Sequence, residues 1–145
     1  MNPFFKFSIF ISTLALTSCF NSTINSSDEQ LTILDYDSVR GSFIEFDDVF
    51  SQKEDEYYVY FFSRNCSHCN GIKEFMIDKI IDHKEIFLVE ANDKIHLTSD
   101  EGGIVGCNCI DCFAIVGYPT LVKITNHVVE KTFIGTEMIK KELTN

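Results

Sequence analysis

Cys66-Ser67-His68-Cys69 places two thiols three residues apart, immediately after the aromatic and β-branched run Tyr57-Tyr58-Val59-Tyr60-Phe61-Phe62-Ser63. Ile72, Phe75, Met76 and Ile80 follow at helical spacing. Two cysteines on the first turn of a helix bring their sulfurs within bonding reach. Partial positive charge from unpaired N–H groups there favours a thiolate, the form that attacks a disulfide. A histidine between the cysteines stabilises that thiolate when it is protonated. By the same effect it favours the reduced pair, which makes the oxidised pair a stronger oxidant. The spacing therefore points to thiol–disulfide exchange, with Cys66 as the outer thiol and Cys69 as the inner one.

The elements around the pair predict a parallel βαβ unit. Tyr57–Ser63 reads as a central strand covered on both faces, and Ile86-Phe87-Leu88-Val89-Glu90 as a second buried strand. Ser42-Phe43-Ile44-Glu45-Phe46 reads as a short strand, with Asp47 capping a helix through Phe50 to about Lys53. Residues 92–106 are loop-like. Leu121–Ile124 and Val128–Phe133 predict an antiparallel hairpin around Thr125-Asn126-His127. Gly135 then ends a strand, and Thr136 caps a final helix. Pro119, in Gly117-Tyr118-Pro119-Thr120, is the only proline after Pro3, and an X–Pro bond in such a strand-rich setting takes either a cis peptide or a trans strand start.

The chain has 145 residues, enough for one domain with its own core, and a formal charge of −10 that argues against nucleic-acid binding. Met1–Lys6 carries one positive charge, and Phe7–Leu16 is a ten-residue apolar run, too short to span a bilayer. Leu16-Thr17-Ser18-Cys19 then resembles a bacterial lipoprotein signal, in which Cys19 is lipidated. An ordinary secretory signal or an uncleaved anchor are the alternatives, and all three place the rest outside the cytoplasm. The expected organisation is a signal peptide at 1–18, a lipid anchor and flexible tether at 19–41, in which Leu31–Tyr36 is either a first edge strand or part of the tether, and a domain at 42–145. Loss of residues 1–18 removes Lys6 and no acid, taking the formal charge to −11.

The order strand, CxxC, helix, strand, Gly-Tyr-Pro-Thr, hairpin, Gly, helix resembles the thioredoxin superfamily from about Phe43 onward. That resemblance implies an α/β thioredoxin fold, a central mixed sheet of four to five strands flanked by helices. It implies Cys66 as nucleophile, Cys69 as resolving thiol, and Pro119 as a cis-proline facing them, with Tyr118 offering its backbone to an extended substrate. Gly117–Thr120 is similar to the matching segment of protein disulfide isomerases. Phe61-Phe62-Ser63 with Cys66–Cys69 is similar to bacterial periplasmic disulfide oxidases, which also carry His before the second cysteine. The resemblance implies an oxidoreductase acting on exported proteins, leaning toward oxidation or isomerisation, re-charged by a separate redox partner and needing no cofactor.

Three positions depart from the pattern. Tyr60 stands where thioredoxins and the isomerases carry a buried acid six residues before the first cysteine, leaving Glu90 or water to take the proton. Asn65 replaces the usual tryptophan and reads as the helix cap. The helix after Cys69 lacks the proline that often kinks it.

Cys107-Asn108-Cys109-Ile110-Asp111-Cys112 forms a second group, and without Cys19 it leaves an odd number of thiols. It admits a structural disulfide (Cys107–Cys112 being easier than Cys107–Cys109), a second redox pair, or a metal site. The last defines a rival function, in which Cys66, Cys69 and this cluster hold zinc or copper(I) in a binding protein. A third class is a module whose CxxC is only structural. His83, His96 and His127 show no ligand spacing and read as surface residues.

Overall fold

The computed structural model describes residues 34–83 and 85–145. The signal, Cys19 and most of the tether lie outside the described residues. Four strands form one mixed sheet: β1 (Glu56–Phe62), β2 (Ile86–Glu90), β3 (Thr120–Thr125) and β4 (Val128–Ile134), in the order β2-β1-β3-β4. β1 is parallel to β2 and antiparallel to β3, with Tyr60 opposite Leu88 on one side and Leu121 on the other. Its run of apolar residues suits an inner strand. Tyr57, Val59 and Phe61 enter one core layer, while Tyr60 and Phe62 enter the other.

The helices share one layer. After β1 come α1 (Ser67–Asn70) and α2 (Lys73–Asp82), and the chain closes with α3 (Thr136–Thr144). Cys69, Ile72, Met76, Ile77 and Ile80 pack with Ile139 against the Tyr60 and Phe62 face. The expected single helix is broken. Ile72 adopts φ −117° and ψ 1°, so the bend that the resemblance assigns to a proline occurs here at Gly71-Ile72. Thr136 is the first residue of α3, and Gly135 occupies the cap position with φ +79°, a conformation that suits glycine.

The opposite layer holds loops and 3-10 turns. Ser42–Phe46 forms no strand: Phe43 makes an isolated parallel bridge to Leu88, and a 3-10 turn at Phe46–Asp48 stands where a helix from Asp47 was expected. The reason is burial. Phe46 and Val49 turn inward onto Phe113, Phe61 and Tyr57, and the Tyr57 hydroxyl donates 2.8 Å to the Val49 carbonyl. Phe113 is 1% exposed and packs against Phe46, Phe50 and Phe61. Packing also reaches back before residue 42, because Tyr36 and Val39, in a 3-10 segment at Tyr36–Ser42, are buried in the helical layer.

The hairpin closes through Asn126 (φ 50°) and His127 (φ 60°), a two-residue loop whose positive angles match the strand twist. Phe113 anchors the loop layer onto the sheet through Phe61. Phe113→Ala is expected to lower stability by about 3 kcal/mol, the usual cost of emptying a phenylalanine site; a denaturant titration measures it.

Candidate active site

β1 delivers the chain to its C-terminal end, and Cys66 stands at the N-cap of α1 with extended backbone angles (φ −90°, ψ 120°). Cysteine itself therefore caps the turn, in place of Asn65. The Cys66 sulfur accepts the Cys69 N–H at 3.3 Å, while the Cys66 thiol donates to the Tyr118 carbonyl at 3.5 Å. The two contacts favour different forms. The amide stabilises a thiolate, and the carbonyl accepts from a thiol. With only four residues in α1, the local electrostatic support for a thiolate comes from that one N–H more than from a long helix dipole.

Cys69 is fully buried, and Cys66 is partly exposed. Burial pushes the Cys69 thiol up from 9.0 to about 12, while contacts with the Ser63 backbone and the Tyr60 hydroxyl act in the opposite direction. The asymmetry is the one exchange requires: an outer sulfur that meets a substrate, and an inner sulfur kept protonated until needed.

Tyr60 sits below the pair where a carboxylate was expected. Its hydroxyl accepts from Tyr36 at 3.4 Å, and burial followed by the neighbouring Tyr36 drives its ionisation far upward. It is a neutral hydroxyl at ordinary pH. Glu90 is engaged elsewhere, accepting from Arg64 Nε at 3.1 and 3.2 Å. Arg64 also pairs with Asp37 at 3.0 Å and Asp35 at 3.6 Å, which joins the N-terminal segment to the end of β2.

The Tyr118–Pro119 peptide is cis, and its segment is pinned at two points. Thr120 Oγ1 donates to the Gly117 carbonyl at 2.8 Å, and Gly135 N–H donates to the Pro119 carbonyl at 2.9 Å. An open groove of about 430 Å³ lies beside His68 and the cis-proline segment, lined by His68, Val116–Pro119 and Ile134–Glu137. His68 is exposed at its rim. The wall from Gly135 to Glu137 was not identified as part of the site from sequence; the only signal was a glycine between strand and helix.

The second cysteine group lies in the other layer. Cys107 and Cys112 form a disulfide with Cα atoms 5.9 Å apart, and Cys109 is a free, exposed thiol. Cys107 packs in the cluster with Phe113 and Phe61, whereas Cys69 packs with Tyr60 and Phe62. The sheet therefore lies between the two groups, and among the described residues no cluster of three or more His, Cys, Asp or Glu is placed to hold a metal ion. His83, His96 and His127 are exposed.

Because the folded Cys69 thiol ionises above its ordinary value, it favours the folded state most below about pH 9 and loses that contribution as pH rises toward 12. The denaturation midpoint of the reduced protein is expected to fall across this window. In Cys69→Ala the fall should be shallower, since only groups such as Tyr36 and Tyr60 then contribute; equal slopes would contradict the assignment.

No family model matches the chain, and no curated protein matches it. Solved structures do. A thioredoxin from Plasmodium falciparum is 14% identical with a TM-score of 0.46, the alignment covering 71% of this chain and 96% of that one. Thioredoxin O2 from Arabidopsis thaliana is 16% identical (TM-score 0.45; 72% and 92% covered), and a Schistosoma mansoni thioredoxin is 19% identical (TM-score 0.48; 70% and 92% covered). The order β2-β1-β3-β4, a CxxC at the end of β1 and a proline entering the antiparallel hairpin form one consistent arrangement: this chain has a thioredoxin fold.

Proposed function

We propose that this protein is a thiol–disulfide oxidoreductase of exported proteins, working outside the cytoplasm on a lipid anchor at Cys19. The observation that carries the chemistry is the unequal pair: Cys66 partly exposed and held between the Cys69 amide and the Tyr118 carbonyl, with Cys69 buried and protonated behind it. The lipoprotein-like Leu16-Thr17-Ser18-Cys19 supports the location.

In the oxidising direction, a substrate thiolate attacks the Cys66 sulfur of the Cys66–Cys69 disulfide, and Cys69 leaves and takes up a proton. A second substrate thiolate then attacks the substrate sulfur of the mixed disulfide. The substrate is left oxidised, Cys66 leaves as a thiolate, and the dithiol is reduced. The reducing direction runs the same steps backward, with Cys69 resolving the mixed disulfide. The groove beside Tyr118-Pro119 suits an extended segment, which would lay its backbone along Gly117–Pro119 while its cysteine meets Cys66. No cofactor enters either direction; the electrons come from or go to a separate redox partner. His68 at the rim tilts the pair toward oxidation or isomerisation, because a protonated imidazole there would favour the reduced form.

Cys66→Ala is expected to abolish both insulin reduction and the refolding of a scrambled disulfide protein. Cys69→Ala should instead accumulate mixed disulfides through Cys66, visible on non-reducing gels. Retained activity in Cys66→Ala would refute the reading. His68→Ala should move the reduction potential of the pair to a more negative value by about 30 mV, a tenfold change in the exchange constant. Equilibration against glutathione buffers reads that shift directly.

A further inference from the structure

The Cys107/Cys109/Cys112 cluster has no part in the chemistry above, yet its arrangement is not that of an inert clamp. The free Cys109 sulfur lies 3.5 Å from the Cys112 sulfur of the Cys107–Cys112 disulfide. Cys109 and Cys112 are exposed, whereas Cys107 is buried. Cys109-Ile110-Asp111-Cys112 is a second CxxC, and it too coincides with a short turn, the 3-10 segment Ile110–Cys112, with Cys109 at its N-cap. Cys107 itself is held on the edge of the sheet: Gly106 N–H donates to the Val129 carbonyl, and Val129 N–H donates to the Cys107 carbonyl, each at 2.8 Å.

We propose that Cys107, Cys109 and Cys112 form a second thiol–disulfide exchange site, in which the disulfide migrates between Cys107–Cys112 and Cys109–Cys112. The Cys109 thiolate attacks the Cys112 sulfur. A Cys109–Cys112 bond forms as the Cys107–Cys112 bond breaks, and Cys107 leaves as a thiolate and takes a proton. One disulfide and one thiol are present before and after, so no external oxidant or reductant is consumed. The two forms differ in access. One disulfide has a sulfur buried beside the sheet edge, while the other joins two exposed residues and is open to a thiol from solvent. The substrate class is accordingly a small thiol or a cysteine on an accessible peptide segment. Such a thiol would attack the exposed disulfide, taking the place of one of its sulfurs in a mixed disulfide that the remaining cluster thiols resolve. Because Cys107 and Cys69 pack on opposite faces of the sheet, this exchange is independent of the Cys66/Cys69 pair.

The test is disulfide mapping of the full chain incubated in a reduced and oxidised glutathione mixture at neutral pH. The sample is quenched in acid, its free thiols are blocked with N-ethylmaleimide, and the blocked positions are located by tandem mass spectrometry. Wild type and a Cys66→Ser/Cys69→Ser variant are compared. Within the cluster the block is expected on Cys107 in some molecules and on Cys109 in others, with the smaller population no less than about a tenth of the larger. The same distribution is expected in both proteins. A block confined to Cys109 would overturn the proposal in favour of a static clamp. Blocks on all three cysteines, or both pairings in wild type and one in the variant, would overturn it equally. Failure of the Cys66 reading would show separately, as absent insulin reduction with both pairings still present.

Discussion

The Cys66 sulfur lies between an amide from its own helix turn and a carbonyl fifty-two residues further along the chain. Most of the structure can be understood as holding those two groups at one point. β1 fixes the start of the turn, because its side chains are buried on both faces and its neighbours leave no freedom of register. The carbonyl is fixed by different means. Thr120 and Gly135 hold the Gly117–Pro119 segment at either end, and Gly135 is free to do so because it adopts a backbone angle that other residues resist. The outer thiol is thus set by two parts of the chain that meet only once the sheet has formed.

Beneath the pair the structure uses hydroxyl groups where an acid was expected. Tyr36 and Tyr60 form a neutral hydrogen-bonded pair in the core, and no carboxylate is placed under Cys69 by the contacts described. The raised ionisation of Cys69 therefore comes first from burial. A neutral pocket holds the inner thiol as a thiol without adding a negative charge close to Cys66. A hydroxyl chain can also donate to a sulfur as charge develops on it, which a carboxylate cannot do.

The strands, the hairpin and the first dithiol were legible in the sequence because each follows a local rule. Apolar runs became β1 and β2, and the tight turn expected over Thr125-Asn126-His127 closes through Asn126 and His127 alone, with Thr125 ending β3. The regions misread have no such periodicity. Ser42–Phe46 read as a short strand, but only Phe43 bridges Leu88, and the chain turns at Phe46, with Phe43 packing onto Phe62 and Phe46 onto Phe113. The break at Gly71-Ile72 carries no proline to announce it, and the cap role of Cys66 was hidden because cysteine is not a usual capping residue. Val39 read as tether and Tyr36 as the end of either an edge strand or that tether, although partners far along the chain bury them. In each case tertiary packing overrode a weak local preference.

The two sides of the sheet also differ in how they would open. The dithiol face is covered by α2 and α3, whose backbone bonds are internal to each helix. The other face is covered by chain between Asn92 and Val116, joined to β4 by the pairings of Gly106 and Cys107 with Val129. Amide protons in such a cover exchange through small local openings, whereas those of β1 and β3 wait for the whole domain to unfold. The loop-covered face is therefore expected to open at lower cost than the helical one. A segment that loosens around Cys107 can do so while the geometry around Cys66 on the far side of the sheet stays in place.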